Sequence, residues 1–251
     1  MSWLKDDLRV VYAIWLRELK VWQREKSRVV GSVITPILWL AVFGSGLSGM
    51  NVGGIGYQQF IYPGILAMSI LFTSIFFGVY IIWDRKIDFL KEVLAAPASR
   101  TAVFFGKVVG GSTDAMLQAT LLLVVGVFFG MHFTILQIVL AYVVLLLLSF
   151  ATVSIGLGIG SQLSSPEGFS MISSFVIWPM FFLSGALYPI NNLPAWLGPL
   201  VAIDPVTYGV DALRAVLLGA SSFPLLLDIG VLAAFTAVMV ALGGFLFSRM
   251  K

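Results

Sequence analysis

Six long apolar runs, each about as long as a lipid bilayer is thick, leave this chain few folds to choose from. They fall at about residues 29–47, 60–83, 108–130, 135–160, 169–188 and 226–247. A helix needs roughly 20 apolar residues to cross a hydrocarbon core of about 30 Å. A membrane barrel would instead alternate apolar and polar residues over segments of about ten, and these runs are continuous. Composition agrees: 59% of the 251 residues are apolar and 11% are charged, against about a quarter charged in soluble domains. The predicted fold class is an all-α membrane protein with six transmembrane helices. Without an internal repeat or linker it reads as one domain, residues 1–251, with an amphipathic segment at 1–28 and a six-span bundle at 29–247.

Charge orients that bundle. Of the fifteen Lys and Arg residues, fourteen fall on one side of the six-span scheme and only Arg214 falls on the other. Basic residues near span ends stay on the cytoplasmic side, so both termini and the loop around residues 84–107 are expected in the cytoplasm, with the chain a multi-pass protein of the plasma (inner) membrane. The same rule accounts for the net charge of +3, and no nucleic-acid partner is expected. The first 28 residues are too charged, and run too long before the first apolar stretch, for a cleaved signal.

Before the first span, Leu4, Leu8, Val11, Tyr12, Trp15, Leu19 and Trp22 step by three or four along one helical face, with Arg9, Arg17, Lys20 and Arg24 roughly opposite. Tryptophan on one side and basic residues on the other predict a helix lying in the membrane interface, against anionic lipids. Trp15, Arg17, Trp22 and Arg24 are its candidate interface residues. After the second span the chain turns polar, with Asp84, Arg85, Lys86, Asp88, Lys91, Glu92, Arg100 and Lys107. Ile87, Leu90 and Leu94 share a stripe there with Phe89 and Val93 beside it. Asp84 is placed to cap a short helix that Pro97 limits. An amphipathic helix outside the bilayer needs a surface to cover its apolar groups, either lipid or a docked protein.

The segment between the fifth and sixth spans is long, external and largely apolar, with polar residues at Asn191, Asn192, Asp204, Asp211 and Arg214. Short helices dipping into the outer leaflet are expected, with Pro194, Pro199 and Pro205 marking their ends.

Little in the chain supports chemistry. It holds no cysteine, which excludes disulfides and thiolate metal sites. His132 is the only histidine and lies in a short external turn; neither HExxH nor GxSxG occurs. Gly106-Lys107 is the nearest approach to a phosphate loop, but Val108 follows where Ser or Thr is required and Thr101 replaces the first glycine. ATP, if used, must therefore be hydrolysed by another polypeptide. An ion-coupled carrier is the rival class, resting on Asp114 and Asp228, both expected near span ends within reach of interfacial water. Gly106/Gly110, Gly126/Gly130 and Gly156/Gly160 have GxxxG spacing, which suits close helix packing but occurs readily by chance in apolar, glycine-rich sequence. Aromatic residues crowd the second and fifth spans. Trp39, Phe43, Phe72, Phe76, Phe175, Trp178 and Phe182 are candidates to line a path for an amphipathic solute, or simply to face lipid.

Three stretches carry a family resemblance: "QQFIYPGILAMSI" opening the second span, "FLKEVLAAPASRTAVFFGKVVGG" across the first cytoplasmic loop, and "FFLSGALYPINNLPAWLGPLVAIDPVTYGVDALR" before the sixth span. With the six spans and the amphipathic N-terminal helix, they resemble the type-2 ABC exporter permeases, nearest to members exporting drugs or lipo-oligosaccharides; capsule and O-antigen exporters share the plan. The resemblance implies a transporter of two permease chains, here as a homodimer, and two copies of an ABC ATPase subunit that carries the ATP and Mg. This chain itself would be no enzyme and would hold no cofactor. It further implies a coupling helix at residues 84–94 seated on the ATPase, with Asp84, Arg85, Lys86, Asp88, Phe89, Leu90, Lys91 and Glu92 as contacts. A second, smaller contact would lie around Ser164 and Glu167. Re-entrant helices would cap the outer mouth, and the first, second and fifth spans would face the path.

Overall fold

The computed structural model describes residues 2–95, 99–191 and 193–250, without the side chains of residues 2–5, 28, 91, 94 and 95. Pro97 and Asn192, and the side chains of Leu4, Lys91 and Leu94, thus lie outside the described residues. Helix α1 (Ser2–Arg24) is followed at once by α2 (Lys26–Gly46). A two-residue antiparallel ribbon, β1 (Asn51–Val52) with β2 (Ile55–Gly56), leads into α3 (Tyr57–Phe76), α4 (Val79–Lys86) and α5 (Phe89–Ala95). Then come α6 (Arg100–Phe128), α7 (Ile135–Gln162), α8 (Pro166–Leu183), the short α9 (Leu197–Ile203) and α10 (Pro205–Leu218), and finally α11 (Leu225–Ser248).

Among the described residues, six stretches are long and apolar enough to cross a membrane: within α2, across α3–α4, and in α6, α7, α8 and α11. Each coincides with an apolar run of the sequence. Their ends are set by local chemistry. Ser99 caps α6 by accepting from the Ala102 N–H at 3.1 Å. Thr134 and Gln137 form a reciprocal capping box at α7. Ser165 caps α8, with Pro166 in its first turn. Such caps contribute about 1 kcal/mol each.

The central element is α3, packed against α2, α6, α7, α8 and α10. Around it a large apolar core includes Ile61, Leu71, Leu145, Val210 and Leu213. A second core lies at the end of the bundle that holds α1 and α5, built from Ile14, Phe77, Ile81, Leu90, Phe104, Leu157 and Phe247. Between the two, the helix of the second span breaks at Phe77–Gly78. There its backbone touches α7: a Cβ on Gly78 would lie 2.0 Å from the Gly156 carbonyl oxygen, and one on Gly160 would lie 2.3 Å from that of Gly78. Only glycine permits this crossing.

Several expectations are corrected. The sixth residue of α4 is Asp84, not a cap, because the predicted helix at 84–94 is two helices parted at Asp88, whose φ of 57° lies in the left-handed region. Helix α6 begins eight residues before the apolar run, so Lys107 is a helical residue rather than a loop residue. Pro199 lies inside α9, whereas Pro205 does open α10. The segment before α11 does hold short helices, α9 and α10, and α10 is packed into the bundle: Val210, Ala212 and Leu213 are fully buried against α3, α7 and α11. Asp114 and Asp228 are buried too, at 2% and 0% exposure. Asp228 lies in the first turn of α11, and neither of its carboxylate oxygens meets a hydrogen-bond partner among the described residues.

Candidate functional site

The face by which α1 joins the bundle differs from its sequence stripe. Leu8 and Tyr12 are exposed, while Ile14 and Glu18 turn inward onto α6. Two glycines of α6 make room, because Cβ atoms there would fall 2.9 Å from the Ile14 side chain at Gly106 and 2.8 Å from Glu18 at Gly110. Trp15 donates from its indole Nε1 to Thr113 Oγ1 of α6 at 3.0 Å. Trp22 lines a cavity of about 340 Å3 with Phe72, Phe76, Tyr80, Asp114 and Gln118. Arg24 is exposed in the last turn.

Behind this contact lies a four-charge cluster. Arg17 Nη2 donates to Asp84 Oδ1 at 2.6 Å and Arg17 Nη1 to Glu18 Oε1 at 2.8 Å. Lys107 Nζ donates to Glu18 Oε1 at 3.0 Å and also to Asp84 Oδ2. Glu18, Asp84 and Lys107 are at most 2% exposed. Two cations against two carboxylates leave no net charge, which is what burial of ionised groups demands. The cluster thereby fastens α1 to α4 and α6. Arg17 also lays its guanidinium on the Phe89 ring of α5, 3.9 Å from the centroid, so one side chain touches both the buried cluster and the short terminal helix.

Arg85 turns the other way, to the C-terminus of α7, where Nη2 donates to the carbonyls of Gly160 (2.9 Å) and Leu163. A cation here meets unpaired carbonyls and the negative end of the helix dipole. It thus fixes α4 beside the α7–α8 turn, in which Ser164 and Glu167 are exposed. Of the residues assigned to ATPase docking, Asp84 and Leu90 are buried and Arg85 is engaged internally, so these three position the terminal helix from behind. Lys86, Ile87, Asp88 and Glu92 are exposed on its surface and Phe89 is half-buried; Lys86 lies over the Trp83 ring at 4.9 Å. Two cluster members were absent from the sequence reading of the site, Glu18 and Lys107. The available signal was a carboxylate, Glu18, among the basic residues of an amphipathic helix, and a lysine seven residues past the first residue of a helix capped by Ser99.

The aromatic candidates converge. Trp39 stacks on Phe43 (centroids 4.6 Å apart) and meets Phe181 edge-on at 5.8 Å. Phe72 meets Trp178 edge-on at 5.2 Å and Phe76 at 6.5 Å; Trp178 stacks on Phe182 at 5.6 Å. One array thus runs across α2, α3 and α8, with Phe43, Trp178 and Phe182 exposed on it; Phe175, also on α8, is 72% exposed and is not among the rings in contact.

Comparison with known proteins places this arrangement. Residues 9–218 match the ABC-2 type transporter family, a span that includes the four-charge cluster, the terminal helix and α10. The chain is 27% identical over 232 residues to nodulation protein J of Rhizobium leguminosarum bv. viciae, covering 90% of this chain and 89% of that protein. It is 28% identical over 243 residues to the inner membrane transport permease YadH of Escherichia coli K12, covering 90% and 92%. Six apolar helices, the packed base and a family match over most of the sequence agree: the chain belongs to the ABC-2 type transporter family and is a membrane subunit of an ABC transporter, a family whose members work with an ABC ATPase.

Proposed function

We propose that this chain is the membrane-spanning subunit of an ATP-driven exporter for an amphipathic drug, lipid or lipid-linked glycan. Two copies form the path, and the terminal helix α5 of each seats on one of two separate ATPase subunits, where ATP and Mg are bound. In this reading both termini and α5 are cytoplasmic. The exposed residues Lys86, Ile87, Asp88 and Glu92 meet the ATPase, and the Ser164–Glu167 turn makes a smaller contact beside them. The observation that carries it is the four-charge cluster. A displaced α5 pulls on it through the Phe89 ring beneath Arg17, and α1, α4 and α6 then move together, because each of these three contributes to a set of ion pairs that cannot be parted cheaply inside a low-dielectric core. The aromatic array on α2, α3 and α8 supplies a surface suited to an amphipathic solute, opening toward the second copy. When the ATPases close on ATP, the helices shift between two packed arrangements.

Glu92→Lys is the direct test. Its side chain is exposed, so insertion and folding of the chain are expected to be unchanged. Co-purification with the partner ATPase and transport should each fall about tenfold or more, as reversal of a charge at a docked interface costs a few kcal/mol. Unchanged co-purification with full transport would overturn the assignment of α5.

A further inference from the structure

Arg214 is the one basic residue that the charge asymmetry leaves on the far side of the bundle, at the end opposite α1 and α5. It lies on α10 at 4% exposure, against a cavity of about 610 Å3 between the β1–β2 ribbon and the loop after α10. Nη2 donates to the Gly185 carbonyl at 3.0 Å, and the guanidinium rests on the Phe60 ring, 4.1 Å from its centroid. Asp211 is the natural counter-ion, yet it lies 4.0 Å from Nη1. Its carboxylate instead holds the following loop, accepting from the Ser222 N–H at 2.9 and 3.0 Å and from the Phe223 N–H at 2.9 Å. Nε is buried and meets no acceptor. A guanidinium offers five N–H groups, and among the described residues only the Gly185 carbonyl accepts one within hydrogen-bond distance. Burial lowers its pKa to about 10, which leaves it charged at neutral pH.

We propose that this cavity binds an amphipathic oxyanion, a phosphate or carboxylate carried on an apolar body, with Arg214 as its charged anchor. The walls supply the rest: Leu47, Val52 and Leu187 are apolar, and Asn191 and Ser221 add polar groups at the mouth. A fixed cation in a low-dielectric pocket focuses its field on the opening, and a guanidinium matches an oxyanion in shape as well as charge. A clamp with no ligand needs only the Gly185 and Phe60 contacts and the long Asp211 pair at 4.0 Å; it explains neither the N–H groups left without an acceptor nor the space beside them. That the cavity faces the cell exterior rests on the orientation proposed above; the binding itself does not.

The test uses the full chain in nanodiscs, reading thermal stability. Butyl phosphate added to phosphatidylcholine discs should raise Tm saturably, and so should exchange of the lipid for phosphatidylglycerol if the headgroup is the source. A rise with phosphatidylglycerol alone assigns the site to lipid; a rise with butyl phosphate assigns it to a soluble ligand. Ser221→Asp, at an exposed loop position that spares the packing, should weaken either response at least tenfold, as should Arg214→Gln. No response to any probe, or responses equal in wild type and Ser221→Asp, overturns the proposal. Orientation is checked apart from binding by reacting Ser221→Cys in intact cells with an impermeant thiol reagent. Labelling only after lysis would refute the exterior placement and leave the binding result standing.

Discussion

At the scale of single residues, the four-charge cluster makes a prediction that depends on charge parity. Lys107→Met leaves Glu18 and Asp84 with Arg17 alone, hence one buried carboxylate without a cation. Loss of one partner from a buried ion pair costs about 3–5 kcal/mol, and Lys107, at 0% exposure, has no route to water. The double variant Asp84→Asn with Lys107→Met removes one charge of each sign and leaves the Arg17–Glu18 pair intact at 2.8 Å. Thermal unfolding in detergent should therefore find the double variant more stable than Lys107→Met alone. Strict additivity of the two single losses would show that the cluster is not coupled. This site was half legible in the sequence. Arg17 and Asp84 stood out as charges beside apolar stripes, but their meeting across 67 positions depends on tertiary packing that no local period reports. Lys107 was misplaced because basic residues next to an apolar run ordinarily mark its end, whereas here two carboxylates supply the charge balance that lets a lysine enter the core.

At the scale of elements, hydropathy located the six candidate spans found among the described residues, because lipid and protein interior both reward continuous apolar sequence. What it could not locate were the places where two backbones touch. The GxxxG spacings at Gly106/Gly110 and Gly156/Gly160 turn out to be contact sites, the first for α1 and the second for the break between α3 and α4; spacing alone did not distinguish them from chance. A sharp contrast follows for glycine substitutions. Gly78→Val must force α4 off α7, since even its Cβ would lie 2.0 Å from a carbonyl oxygen. The base core and the Arg85 cap of α7 should loosen with it, seen as a large drop in Tm and lost transport. Gly230→Ala in α11 meets nothing within 4 Å and should be neutral or stabilise by up to about 1 kcal/mol through helix propensity. Equal effects of the two would mean that the α4–α7 crossing is not tight. The division of residues 84–94 into two helices was hidden for a related reason: a left-handed Asp88 lets Phe89 reach Arg17, and neither its φ nor that contact has a signature in hydrophobic period.

For the whole molecule the question is where the energy for transport enters. Two features bear on it, at opposite ends of the bundle. One is the exposed terminal helix backed by a charge cluster, which suits force applied from outside the membrane. The other is Asp228, a carboxylate fully buried in a candidate span and without a hydrogen-bond partner among the described residues, the kind of group that ion-driven carriers use. The two readings separate on one substitution. If a proton or cation cycles through Asp228, then Asp228→Asn must abolish transport, and collapsing the proton gradient must do the same to the wild type. If the ATPase supplies the work, Asn preserves the shape of the side chain and removes the need to bury a carboxylate, so transport should persist and Tm should hold or rise. Proteoliposomes containing the permease and its ATPase, with no ion gradient imposed, give the measurement. ATP-dependent transport retained in Asp228→Asn assigns Asp228 to packing, whereas its loss, with folding intact, would move the coupling mechanism to the far end of α11 and away from the terminal helix.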